Sequence, residues 1–234
     1  MLRLSFVTGS EPGKWLRRYE ASTGHGLSAR GSDDPLADLA AGECDLALLR
    51  LPDSRVGQDH HVVKLYDEAP GVAVPKESVY AEYAKEGEAV RGGDLAGEIV
   101  NLRFGPGVTI DEVRAALQVV AANVGVVYAP APLLKVLSKK QIIPLTLAEG
   151  EGTATAIALV WRRDDDSDAI QDFVGVAKGR TVNSSRGSGE GGGEKSGAGG
   201  SSKAGKAQNR GSARGGSWAR RASPPRARGR RRMR

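Results

Sequence analysis

The sequence feature that most constrains the fold is the stretch from Val119 to Pro132, VVAANVGVVYAPAP. It continues a helical pattern, turns at Asn123 and Gly125, and then runs through a short apolar strand that stops at Pro130. Asn and Gly both tolerate the left-handed backbone that ends a helix. The stretch therefore predicts a helix-to-strand corner in an α/β layer. Such corners expose backbone N–H groups where α/β folds often hold ligands, but the spacing alone indicates a corner and not a ligand, and most such corners are purely structural.

Apolar runs and turn signals alternate along the rest of the first 183 residues. Leu2, Leu4 and Phe6 alternate with less apolar positions, which predicts a first strand, and Pro12 opens a helix that buries Trp15 and Tyr19. Thr109 and Asp168 are predicted N-caps. Further strands are predicted at residues 27–30, 45–51, 61–66, 71–75, 99–104, 142–147 and 154–161, and further helices at 35–42, 79–87, 94–97, 110–122, 133–137 and 169–176.

The order of these elements predicts an α/β fold with two Rossmann-like lobes, arranged as in type 2 periplasmic-binding proteins. The run at residues 45–51 is apolar throughout, as expected for a strand buried on both faces of a parallel sheet. We expect one domain at residues 1–183. Its first lobe would comprise about 1–73 and 150–183, and its second lobe about 74–149.

The charge divides the chain into two parts. Residues 1–183 carry 20 Lys and Arg against 26 Asp and Glu, whereas residues 184–234 carry 14 against 2. The second part is a Gly- and Ser-rich linker followed by an Arg-rich run, and we predict that it is disordered because it has too little apolar surface to fold. An acidic first part is poorly suited to lie on a phosphate backbone.

The basic tail has two interpretations. Its Arg-Gly steps and Trp218 are typical of sequence-tolerant contact with DNA or RNA, but a tail of this kind also serves solubility alone. The candidate nucleic-acid contacts are the arginines of the terminal run, namely Arg220, Arg221, Arg226, Arg228, Arg230, Arg231 and Arg232.

Several classes of function are excluded or disfavoured. No apolar run of 18 residues exists, so we expect no membrane span, and the start of the chain lacks the apolar core of a secretory signal. The single cysteine, Cys44, cannot form an intrachain disulfide, which fits a cytoplasmic location. It reads as a small buried residue at the start of a strand.

No motif supports catalysis, a metal or a cofactor. The GxGxxG match at residues 187–192 and the partial phosphate loop at 200–206 both lie in low-complexity sequence without a flanking strand and helix. His60 and His61 have no ligand at metal-binding spacing. The acidic run at residues 164–166 is better explained as a solvated turn that leads into a helix cap. We therefore expect neither enzymatic activity nor a bound cofactor.

Four segments, in order, resemble the effector domains of LysR-type transcriptional regulators. They are LRLSFVTGSEPGKWLRRYEA, GECDLALLRLP, HVVKLYDEAPGVAVPKES and VVAANVGVVYAPAPLLKVL. Together they extend over roughly residues 2–180. Asn123 departs from the family, which usually has Gly at that position, so the floor of the pocket is expected to differ there.

The resemblance implies an effector-binding protein with a regulatory role that takes a small organic anion between its lobes. The DNA-reading helix-turn-helix that normally precedes such a domain is not expected, because the first effector-domain strand begins at Leu2. A homodimer is a candidate assembly. Ser10 would either cap the first helix or contact the ligand. By resemblance, the ligand contacts would be Thr8, Ser10, Arg50, Leu51, Phe104 and Asn123.

Overall fold

A computed structural model describes residues 1–148, 150 and 152–179. They form two β-sheets, each with helices packed against it. The first sheet has the spatial order β2-β1-β3-β9-β4. Its strands are β1 (Leu2–Val7), β2 (Leu27–Ser32), β3 (Leu46–Leu51), β4 (His60–Glu68) and β9 (Thr155–Arg162).

The second sheet has the order β6-β7-β5-β8 and is built from the middle of the chain. Its strands are β5 (Pro70–Pro75), β6 (Val100–Arg103), β7 (Val126–Pro130) and β8 (Ile142–Thr146). Because β5 already belongs to this sheet, the chain leaves the first lobe at Ala69. The lobe boundary expected near residue 73 therefore needs correction: it falls a few residues earlier.

Six α-helices and two short 3-10 helices cover these sheets within the described ranges. The α-helices are α1 (Gly13–Ser22), α2 (Pro35–Ala40), α3 (Ala81–Glu86), α4 (Ile110–Ala121), α5 (Ala131–Leu137) and α6 (Asp168–Ala177), and the 3-10 helices are Gly92–Leu95 and Arg163–Asp165. None of the described helices is long and apolar enough to cross a membrane.

The expected two-lobed α/β fold is confirmed, but both sheets are mixed rather than parallel. Strand β1 pairs in parallel with β2 and β3, whereas β9 returns antiparallel between β3 and β4. Strand β3 is buried on both faces, as its apolar run predicts. Leu46 and Leu48 pack toward α1 and α6, and Ala47 and Leu49 pack toward α2.

Of the three N-caps considered from the sequence, the structure confirms Thr109 but not Asp168 or Ser10. Thr109 forms a full capping box with Glu112 at the start of α4. Asp168 is the first residue of α6 rather than its cap, and Ser167 at the cap position makes no side-chain cap hydrogen bond. The start of α1 likewise has no side-chain cap, so Ser10 does not cap it.

The corner between α4 and β7 has the predicted left-handed backbone. Asn123 has φ 67° and Gly125 has φ 61°. A Cβ atom at Gly125 would lie 2.1 Å from the carbonyl oxygen of Ile99, which accepts a hydrogen bond from Val126 N at 2.8 Å. Glycine at 125 therefore lets β7 pass directly against the residue that precedes β6.

We expect Gly125→Ala to lower the free energy of unfolding by about 3 kcal/mol or more, because it combines a backbone clash with positive-φ strain. Gly42→Ala is the matched control, since Gly42 has φ 71° but nothing within 4 Å of the added methyl group. It should cost about 1 kcal/mol. Urea denaturation of both variants measures the difference, and equal losses would contradict the proposed clash.

Candidate functional site

The two lobes are joined by two crossovers that run side by side. One passes through Ala69 between β4 and β5, and the other leads from β8 to β9. Ala69 O accepts a hydrogen bond from Ala131 N at 2.8 Å, and Pro70 O accepts one from Leu147 N at 3.0 Å. These bonds tie the first crossover to the start of α5 and to the end of β8.

The lobes also touch where Gly9 meets the first turn of α5. Gly9 has φ 91°, and a Cβ atom there would lie 2.9 Å from Leu133 Cα and 3.2 Å from Nη2 of Arg50. A side chain at this position would push the lobes apart. Glycine therefore sets how closely the β1–α1 loop of the first lobe approaches the second lobe.

Beside this contact lies an open cleft of about 890 Å³ that both lobes line. Its walls come from the β1–α1 loop, α1 and β4 on one side, and from α5 and β8 on the other. The lining residues are Gly9, Glu11, Lys14, Trp15, Tyr66, Ala69, Ala131, Pro132, Lys135, Val136, Pro144, Leu145 and Thr146.

The cleft combines aromatic walls with an excess of basic residues. The rings of Trp15 and Tyr66 lie 6.3 Å apart between centroids, at an angle of 50°. Burial and then the charge of Glu68 raise the pKa of the Tyr66 hydroxyl, so it remains protonated near neutral pH. Lys14 and Lys135 are exposed on opposite walls. The cleft can therefore receive an apolar or aromatic body that carries a negative group.

Directly behind Gly9, Arg50 forms a buried ion pair with Glu68. Arg50 Nε donates to Glu68 Oε2 at 2.6 Å, and Arg50 Nη2 donates to Glu68 Oε1 at 2.9 Å. The two side chains are 5% and 1% exposed. Thr155 Oγ1 donates to Glu68 Oε2 at 3.0 Å, and Arg50 Nη2 also reaches the carbonyl oxygen of Thr8 at 3.3 Å. One network thus joins the ends of β1, β3 and β4 to the start of β9.

The Arg50 guanidinium also faces the second lobe. Its central carbon lies 5.8 Å from the centroid of the Phe104 ring, which follows β6. Nη1 of Arg50 is buried and has no hydrogen-bond partner among the described residues. Such a donor retains its capacity to bind an oxygen atom, and leaving it unsatisfied costs free energy.

The structure brings three of the residues expected by resemblance, Thr8, Arg50 and Phe104, together at the contact between the lobes. It also shows that the first-loop hydroxyls are already engaged. Thr8 Oγ1 donates to Asp33 Oδ1 at 2.6 Å, and Ser10 Oγ donates to the carbonyl oxygen of Val7 at 2.6 Å. Ser10 is buried and closes its own turn.

Leu51 and Asn123 lie away from this group. Leu51 follows Arg50 along β3, so it faces the opposite side of the sheet, where it packs with the α2 cluster and lines a separate groove with Val62. Asn123 is exposed at the start of β7, whereas the lobes meet near the other end of that strand, at Pro130. Neither side chain reaches the cleft.

Sequence reasoning missed Glu68, Asp33 and Arg114. Glu68 directly precedes the crossover in YDEAP, and a carboxylate at the end of a strand is a weak signal of a buried role. Asp33 and Arg114 are 81 positions apart, and only the fold brings them together.

The predicted tail contacts, from Arg220 to Arg232, lie outside the described residues. Within the described ranges, no three His, Cys, Asp or Glu residues are grouped to hold a metal ion.

Comparison with protein families gives one match to this chain. The family described as LysR substrate binding domain matches residues 26–181. The comparison with curated proteins finds no match.

Several solved structures share the fold. The BenM effector binding domain with its effector benzoate is 18% identical with a TM-score of 0.56, and the match covers 76% of this chain and 90% of that one. A reduced form of OxyR from N. meningitidis is 17% identical with a TM-score of 0.53, over 77% and 95% of the two chains. Full-length CbnR complexed with target DNA is 17% identical with a TM-score of 0.53, over 77% and 69%.

We expect Glu68→Gln to lower the free energy of unfolding by about 3 kcal/mol, because it leaves the buried Arg50 guanidinium without its counter-charge. Asp67→Asn is the control on the same strand. Asp67 pairs with Lys64 and is 74% exposed, so its loss should change stability by about 0.5 kcal/mol or less. Urea denaturation compares the two, and a Glu68→Gln variant as stable as Asp67→Asn would show that the buried pair contributes little.

Proposed function

This chain belongs to the LysR substrate-binding domain family, and we propose that it binds a small-molecule effector in the cleft between its lobes. The observation that carries the proposal is the cleft itself, about 890 Å³ in volume and lined by both lobes. A ligand that contacts both walls has a different affinity for the open and closed arrangements and so shifts their populations. This is the physical basis of the regulatory role that we propose.

The effector is proposed to be an organic anion with an apolar or aromatic body. Lys14 and Lys135 provide positive charge on opposite walls, and Trp15 and Tyr66 provide aromatic surface. Arg50 does not line the cleft, but its Nη2 lies directly behind Gly9, and its Nη1 donor has no partner among the described residues. We propose Lys14, Trp15, Tyr66 and Lys135 as ligand contacts in the cleft. Arg50 and Phe104 do not line it, and we retain them from the sequence prediction as contacts for a ligand that reaches past Gly9.

We propose a binding role rather than a catalytic one, because family membership rests on a substrate-binding domain.

A cytoplasmic location is proposed from the single cysteine, which is free and buried. Burial raises the pKa of the Cys44 thiol to about 11, so this cysteine is unreactive near neutral pH. A homodimer remains a proposal that sedimentation analysis of the full chain would test.

A thermal-shift screen of small carboxylates tests the proposal, because a ligand that binds only the folded state raises the melting temperature. Benzoate is the first probe, since the BenM domain is described with benzoate as its effector. For any carboxylate that stabilises the protein, Lys135→Gln should weaken binding about tenfold, through loss of a charged hydrogen bond. Isothermal titration calorimetry measures the affinity.

Lys140→Gln is the matched control for this experiment. It makes the same charge change at an exposed position that does not line the cleft. Its affinity should therefore equal that of the wild type. A ligand that binds both variants equally would place its negative group elsewhere, and equal binding of the uncharged amide analogue would refute an anionic effector.

The charge of the C-terminal tail favours a second candidate function, non-specific binding of nucleic acid. Residues 184–234 carry 14 basic and 2 acidic residues. Binding through such a sequence is expected to come from counterion release. It should therefore fall steeply with salt, with a log–log slope of about 0.9 per neutralised duplex phosphate.

We expect the full chain to bind random duplex DNA at low salt and a variant of residues 1–183 to lose that binding. Fluorescence anisotropy at several salt concentrations measures both proteins. The acidic first part should contribute nothing, since its 26 acidic residues outnumber its 20 basic ones. Sequence-selective or salt-resistant binding by residues 1–183 would contradict this prediction.

A further inference from the structure

Asp33 makes a polar side-chain contact between the lobes at a place away from the cleft. It lies in the turn between β2 and α2 of the first lobe. Its Oδ1 accepts hydrogen bonds from Thr8 Oγ1 at 2.6 Å and from Arg114 Nη2 at 3.0 Å, and its Oδ2 accepts one from Arg114 Nη1 at 2.6 Å. Arg114 belongs to α4 of the second lobe. One carboxylate therefore holds donors from both lobes.

These donors have the geometry of a carboxylate-binding site. A guanidinium that donates two parallel hydrogen bonds is the strongest neutral-pH partner for a carboxylate, and a hydroxyl adds a third bond. The Arg114 guanidinium also holds the pKa of Asp33 below its usual range, so Asp33 is charged near neutral pH. None of the three residues lines the cleft.

Arg114 has a second carboxylate partner besides Asp33. Its Nη1 also donates to Asp111 Oδ1 at 2.8 Å, within α4. Arg55, which pairs with the neighbouring Asp34, is engaged by Asp34 and Asp53 instead. Loss of the Asp33 carboxylate would therefore leave Thr8 Oγ1 and Arg114 Nη2 without their acceptor, while Arg114 keeps its bond to Asp111.

We infer that Thr8 and Arg114 form a carboxylate site at the contact between the lobes, and that Asp33 occupies it as a tethered ligand that latches the lobes together. The contact is 41–42% exposed, so it is open to solvent and sensitive to salt. This makes it a reversible latch rather than a permanent link. The inference concerns a different place from the proposed effector cleft, and its failure leaves the proposed function intact.

The test measures the distance between the lobes in the full chain. Spin labels on Glu20→Cys in α1 and Gln118→Cys in α4, both exposed positions, report this distance by double electron–electron resonance. Cys44 is 4% exposed and should remain unlabelled. Asp33→Ala should raise the ratio of open to closed molecules about threefold, the scale expected for a surface ion pair.

Sodium formate supplies a free carboxylate to the vacated site. In Asp33→Ala it should restore the wild-type distance distribution, whereas sodium chloride at the same ionic strength should not. Asp111→Ala is the matched control, because it removes the other carboxylate from Arg114 without touching the contact between the lobes. Its distribution should match that of the wild type with either salt.

Two results would overturn the inference. If Asp33→Ala leaves the distance distribution unchanged, Asp33 is not a latch. If formate and chloride act alike on Asp33→Ala, Thr8 and Arg114 do not form a carboxylate site. Circular dichroism of each variant verifies that it is folded, and Asp33→Asn, which keeps the side-chain size, provides a second variant whose lobes should also open.

Discussion

The structure depends most on the buried ion pair between Arg50 and Glu68. Two charges with 5% and 1% exposure are costly to bury, and their mutual attraction and hydrogen bonds must offset that cost. Glu68 has such bonding, from Arg50 and Thr155. Because the pair joins the ends of β3 and β4 to the start of β9, it fixes the first lobe where both crossovers leave it. The cleft is built upon that fixed edge.

The second lobe meets this edge at a few small contacts. Gly9 abuts the first turn of α5, the Phe104 ring covers the Arg50 guanidinium, and Asp33 holds Arg114. None of these contacts resembles the apolar clusters inside each lobe, which are separate from one another. These contacts are polar or closely packed, but each has a small area. They therefore favour one arrangement of the lobes without preventing another. Motion between the lobes is therefore expected to cost far less than unfolding either lobe.

The sequence predicted what depends on local periodicity and missed what depends on distance along the chain. The apolar run of β3, the capping box at Thr109 and the left-handed turn at Asn123 and Gly125 are all determined by neighbours in sequence. The antiparallel return of β9 has no such signature, because pairing direction is set by topology. For the same reason, Glu68 and Arg114 carry no local mark of their partners. Asn123 was given a ligand role by resemblance, whereas its backbone conformation accounts for its position.

For the anionic effector that we propose, the charged groups around the cleft would act in two ways, by attraction at long range and by direct hydrogen bonding. Glu68 neutralises Arg50, so the buried pair projects little field and cannot attract an anion from solution. Lys14 and Lys135 are exposed at the walls, where they can attract one. In the proposed complex, an anion that extended past Gly9 would accept a hydrogen bond from Nη1 of Arg50, which has no partner among the described residues. Such a bond would satisfy a group that is already desolvated, so the selectivity of the proposed site would come from the position of this donor rather than from net charge.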